Sequence, residues 1–189
     1  MNAFLVSTGV VALAEVGDKT QLLALVLAAR FRRPLPIIAG IFFATVANHA
    51  FAGAVGQWLT HWVSPEVLRW SLGLSFIAMG IWTLIPDKLD EGAQRDRRFG
   101  AFGTTLIAFF LVEMGDKTQI ATVALAARYD ALVAVVAGTT LGMMIANVPA
   151  VMLGNFTAEK LPIRAIHIAA AILFALLGIA VLGGLELGL

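Results

Sequence analysis

Apolar residues run along this chain in long blocks, each closed by a cluster of charge, Pro or Gly. Six blocks can be drawn, over 3–29, 35–57, 66–85, 101–127, 131–154 and 164–184. Each reaches the roughly 17–25 residues that a membrane-spanning helix needs. The connections between them are short, and the longest, 86–98, mixes charge signs as a solvated loop does. The pattern predicts an all-α membrane protein of six transmembrane helices with no soluble domain. Residues 1–4 carry no basic cluster, and the run after them is broken by Glu15, Asp18 and Lys19. The first block therefore reads as a retained span rather than a signal peptide.

Composition supports the same solvent. The 189 residues are 60% hydrophobic and 13% charged, whereas a soluble domain is nearer half apolar and about a quarter charged. Mean hydropathy is +0.90. A net charge of +1 excludes the basic face of a nucleic-acid binder. With no cysteine there is no disulfide, thiolate metal site or cysteine nucleophile.

A shift of 98 residues overlays the two halves without a gap. It places Glu15 on Glu113, Gly17 on Gly115, Asp18 on Asp116 and Gln21 on Gln119, and carries 27–30 onto 125–128. The domains are thus 1–91, a first three-helix repeat with the start of the connecting loop, and 99–189, the second. Three spans per copy is an odd number, so the second copy enters the membrane inverted, an architecture that puts a transport site at the midplane. One set of loops carries Arg30, Arg32, Arg33, Lys88, Arg95, Arg97, Arg98, Lys160 and Arg164, and the other only Arg69 and Arg128. The basic side faces the cytoplasm by the positive-inside rule, which leaves both termini outside. Trp58, Trp62 and Trp70 then fall at the outer interface, as an aromatic belt.

Polar residues inside the first and fourth blocks are the candidate chemistry. Glu15 and Asp18, three residues apart, share a helix face, as do Glu113 and Asp116. Left unpaired, these four acids with Lys19 and Lys117 would cost on the order of 15–20 kcal/mol in a bilayer. Pairing, water, protonation or a bound cation must compensate. Gly17 and Gly115 allow unwinding or close approach inside each motif. Gln21 and Gln119 add amide oxygens, and Asn48 and Asn147 on the second and fifth spans are possible further ligands. The set is oxygen-only, which suits hard divalent ions over Cu⁺ or Zn²⁺. The competing reading is a structural salt bridge, since Lys19 follows Glu15 by four residues and Lys117 follows Glu113 by four. For the lysines, pairing with Glu or tuning its charge is favoured over substrate contact.

Strict repeat symmetry sets His49, not Asn48, opposite Asn147, and His49 is also a candidate proton group. His61 and His167 read as interfacial, Met143 and Met144 as packing, and Pro149 as a kink in the fifth span.

Residues 15–20 and 113–118 both match the E-x-G-D-[KR]-[ST] signature. The twin motif in a six-helix chain resembles a family of cation/proton exchangers of bacteria, Golgi membranes and chloroplasts. The resemblance covers essentially the whole chain. It implies transport of Mn²⁺, or of Ca²⁺ as in eukaryotic members, with metal-site acids at Glu15, Asp18, Glu113 and Asp116.

The expected function is export of Mn²⁺ in exchange for protons, by alternating access at one central site. Moving a divalent cation out against an inside-negative potential costs about 4.6 kcal/mol per 100 mV, so export needs coupling. Carboxylates bind either metal or proton and can supply it. The alternative is a proton-coupled exporter of small, amino-acid-like molecules that uses the acids as a relay. No enzyme constellation is present, and no cofactor is expected because the metal is cargo. Expected partners are the divalent ion, protons and the lipid bilayer, with a homodimer as a candidate assembly, in the bacterial inner membrane.

Overall fold

The structure is a computed structural model that describes residues 2–85, 99–153 and 163–184. Among them are eight helices: α1 (Asn2–Glu15), α2 (Lys19–Phe31), α3 (Pro34–Thr60), α4 (Pro65–Thr83), α5 (Gly100–Glu113), α6 (Lys117–Tyr129), α7 (Leu132–Leu153) and α8 (Ile163–Leu182). Four of the six apolar blocks are single helices. The first and fourth are each two helices, broken at the motif glycines where the sequence allowed unwinding. Gly17 at φ 82° and Gly115 at φ 77° stop α1 and α5, a backbone conformation that a glycine adopts without Cβ strain.

Helix ends follow local chemistry. Pro34 and Pro65 start α3 and α4, where a missing N–H costs nothing. The Ser64 hydroxyl accepts from Val67 N at 3.4 Å as an N-cap. Arg32 and Asp130 close α2 and α6 in the left-handed region. These two positions sit 98 apart, and so do the two glycine breaks.

Packing follows the same correspondence. Helix α1 lies along α7 and α5 along α3, while α4 pairs with α8 and α3 with α7. Small residues set these approaches, as is common for helices in lipid. A Cβ on Gly142 would stand 2.7 Å from the Thr8 carbonyl oxygen of α1, and one on Gly40 would stand 2.9 Å from that of Phe102 on α5.

Polarity is inverted relative to a water-soluble fold. Phe43, Phe51, Trp58, Trp62, Leu74, Ile81, Leu111, Val133 and Ile179 are exposed, while Glu15, Asp18, Glu113, Asp116, Lys117, Asn147 and His49 are buried. An apolar outside around a charged inside fits lipid as solvent. Helices Pro34–Thr60 and Leu132–Met152 are each long and apolar enough to cross a membrane alone. Trp58 and Trp62 are exposed with ring centroids 6.0 Å apart. The loop charges Lys88, Arg95, Arg97, Arg98 and Lys160, and the boundary between the repeats at 91–98, lie outside the described residues.

Candidate cation site at the paired helix breaks

Each motif is a break between two helices. The Asp18 N–H donates to the Glu15 carbonyl at 3.0 Å, and the Asp18 carboxylate then accepts from Lys19 N at 2.8 Å, capping α2. In the second motif the Asp116 N–H donates to the Glu113 carbonyl at 3.1 Å, and Asp116 stands at the N-cap of α6. A carboxylate there also meets the positive end of the helix dipole. Because the chain turns between Glu and Asp, the two acids of a motif do not share a continuous helix face. That expectation is corrected, and the cause is the left-handed glycine between them.

The glutamines support the breaks. Gln21 Oε1 accepts from Gly17 N at 2.8 Å, and Gln119 Oε1 accepts from Gly115 N at 2.7 Å. Their amide groups reach the neighbouring middle helices, Gln21 donating to the Ala146 carbonyl at 2.9 Å and Gln119 to Asn48 Oδ1 at 3.3 Å. Asn48 in turn donates to the Phe110 carbonyl at 3.0 Å. Of the amide oxygens that the sequence offered as ligands, those of Gln21, Gln119 and Asn48 thus hold backbone and side-chain donors. Asn48 stands where the other repeat has the Ala146 carbonyl, as a positioning group.

The lysines cross between repeats. Lys19 Nζ lies 2.7 Å from Asp116, and Lys117 Nζ lies 2.8 Å from Asp18. The expected pairing of each lysine with the Glu four residues before it is corrected. The i, i+4 spacing holds only along a helix, and the helix is interrupted between them. The two bridges differ in depth: Lys117 is fully buried, whereas the Lys19 side chain is 23% exposed.

The glutamates have other neighbours. Glu113 accepts from the Thr118 hydroxyl and lies 3.6 Å from His49 Nε2. Glu15 lies 3.5 Å from Asn147 Nδ2, which also donates to the Met143 carbonyl at 3.1 Å. His49 and Asn147 therefore face the two glutamates at positions 98 apart. Met143 packs into the core, with its sulfur 3.0 Å from Asn147 Nδ2. Glu15 is within Coulombic reach of Glu113, Asp18, Asp116 and Lys117, so the four acids form one electrostatic group. One oxygen of each glutamate, Asn147 Oδ1 and the Thr20 hydroxyl are buried without a hydrogen-bond partner among the described residues. Unpartnered buried acceptors are costly. Still, no three His, Cys, Asp or Glu groups converge as a formed metal site among the described residues.

His167 is a contact the sequence did not point to. Its Nε2–H donates to the Val16 carbonyl at 3.0 Å, tying α8 to the first break. An interfacial assignment suits only His61, which is exposed and donates to the Gln57 carbonyl at 3.0 Å.

Known proteins carry the same pattern. The family model for the divalent cation/proton antiporter GDT1 matches residues 3–91 and 101–186. A Vibrio cholerae protein named "Putative manganese exporter" is 52% identical over 181 residues, covering 95% of this chain and 90% of its own. GDT1-like protein sll0615 of Synechocystis is 26% identical over 200 residues, covering 95% and 96%. GDT1-like protein 3 of Oryza sativa is 25% identical over 199 residues, covering 92% and 71%. No solved structure matches the chain. With both halves matched and the twin motif brought together at one buried site, the chain belongs to the GDT1 family of divalent cation/proton antiporters.

Proposed function

We propose that this protein exports Mn²⁺ in exchange for protons by alternating access, with Glu15, Asp18, Glu113 and Asp116 as the cation-binding acids. One observation carries the reading. Four buried carboxylates from two helix breaks form one group, and a glutamate oxygen on each side is an acceptor without a donor. A hard divalent cation satisfies acceptors of this kind. The name of the Vibrio relative favours manganese over calcium.

The lysine bridges define what binding requires. The four acids and two lysines carry a net charge of −2, which one Mn²⁺ or two protons neutralise. In this arrangement the aspartates are held by tethered ammonium groups, so an entering cation must displace them. Gln21, Gln119 and Asn48 keep the breaks in shape, while Asn147 steadies Glu15. The chemistry is binding and release, with no covalent step and no cofactor.

Six spans arranged as two inverted repeats, 1–91 and 99–189, complete the reading. Broken helices at corresponding places in the two halves support it. Helix α2 leads from the first motif to Arg30 and Arg32, the side that loop charge assigns to the cytoplasm. The Lys19 side chain at the start of that helix is 23% exposed, whereas Lys117 at the start of α6 is fully buried. Labelling single cysteines introduced at Arg32 and near each end would test the orientation, as the chain has no native cysteine. Label at Arg32 is expected from the cytoplasm and at both ends from outside. A cytoplasmic C-terminus would overturn the span count or the orientation.

The function is tested in proteoliposomes of the full chain with a pH dye inside. Mn²⁺ uptake should move protons the opposite way, and an imposed proton gradient should drive it. Lowering pH should weaken Mn²⁺ binding, because protons and metal compete for the same oxygens. Metal flux that ignores the gradient would leave a passive, potential-driven path as the better account.

A further inference from the structure

The six motif positions are identical between the repeats, from Glu15–Gln21 and Glu113–Gln119 apart from Val16 and Met114. The groups that face the two glutamates are not. Asn147 stands by Glu15, while the equivalent position in the first repeat is His49, by Glu113. Among the named neighbours of the acids, this is where the residue type differs between the repeats.

His49 is placed unlike a packing histidine. It is fully buried, and neither ring nitrogen has a hydrogen-bond partner among the described residues. Its Nε2 lies 3.6 Å from Glu113 Oε1, beyond a good hydrogen bond. The same oxygen accepts the Thr118 hydroxyl. A buried imidazole left this way carries a desolvation cost that a structural role would normally offset. It is, however, placed to supply a nitrogen lone pair next to a carboxylate.

Nitrogen changes what the site prefers. Ca²⁺ and Mg²⁺ are bound by oxygen alone, whereas imidazole suits first-row transition ions. An all-oxygen site has no strong basis for choosing Mn²⁺ over Ca²⁺ beyond size and ligand number. We propose that His49 is a cation ligand through an imidazole nitrogen, and that this one nitrogen makes the site select Mn²⁺ over Ca²⁺. Asn147, its counterpart, contributes an oxygen and does not discriminate. The inference rests on the cation passing the motif acids, as proposed above.

Pulsed electron paramagnetic resonance on the purified full chain with Mn²⁺ tests it directly. Bound Mn²⁺ should show nitrogen-14 modulation of an imidazole ligand, and His49→Asn should remove that signal. In proteoliposomes the same variant should lose Mn²⁺ affinity by about tenfold more than Ca²⁺ affinity, the lower range for disturbing a metal site. Should His49→Asn not fold, the wild-type spectrum still decides, and Asn147→His should strengthen the Mn²⁺ preference. Wild-type protein that binds Mn²⁺ without nitrogen coupling overturns the His49 assignment and leaves the acids in place. An unchanged Mn²⁺/Ca²⁺ ratio in His49→Asn does the same. Wild-type protein that binds no Mn²⁺ overturns the site reading itself.

Discussion

Replacing Asp18 or Asp116 with Asn is expected to bring manganese export to background, a loss of about 100-fold or more, the upper range for disturbing a metal site. Each change removes one charge from the same group of acids, so neither repeat can substitute for the other. Their effects on stability should differ. Asp18→Asn removes the carboxylate 2.8 Å from the fully buried Lys117, whereas Asp116→Asn removes the one 2.7 Å from Lys19, which is 23% exposed. Breaking a buried pair by removing one partner costs about 3–5 kcal/mol, and an accessible partner costs less. Combining Asp18→Asn with Lys117→Gln removes both charges and should restore the thermal midpoint in detergent without restoring export. Cells lacking other manganese exporters provide the functional readout. Full rescue by either single variant at normal expression would sink the shared site.

The second large effect concerns Lys117. Its ammonium lies 2.8 Å from Asp18 and is fully buried, where under the proposed function it competes with the cation for that carboxylate. Lys117→Gln takes the motif group from −2 to −3, by loss of one positive charge. Equilibrium Mn²⁺ binding should tighten, because a tethered competitor is gone. Net export should nevertheless fall steeply, because the metal-free carrier must return with an uncompensated acid buried in lipid. Exchange of Mn²⁺ for Mn²⁺ across the membrane avoids that return and should survive. Lys117→Arg, which keeps the charge, should keep part of net export. Lys19→Gln should show the same pattern more weakly. Parental net export by Lys117→Gln would show that the bridge is packing alone.

These outcomes separate a transport role from a structural one at the lysines. The sequence favoured local pairing, since Lys19 follows Glu15 by four residues and Lys117 follows Glu113 by four. That arithmetic assumes a helix. The helix ends at each Glu, with the left-handed Gly17 and Gly115 two residues on, and the lysine then reaches the opposite motif. The same break separates Glu from Asp within a motif. It also turns Gln21 and Gln119 onto the glycine N–H groups, where spacing alone had set them among the ligands.

The sequence by itself determined the solvent, the approximate helix positions and the identity of the candidate chemistry. Those properties are local or periodic: apolar block length, a 98-residue repeat, and acidic residues where lipid makes them costly. It also pointed to the glycines as places where the helix could unwind. Tertiary structure alone decided which residues face one another. Whether Lys117 meets Glu113 or Asp18 depends on the second repeat packing against the first, and no spacing within one helix contains that information. His49 beside Glu113 and His167 on the Val16 carbonyl are of the same kind. Each joins elements far apart in the chain, and a buried polar group takes its partner from whatever helix packing brings within reach.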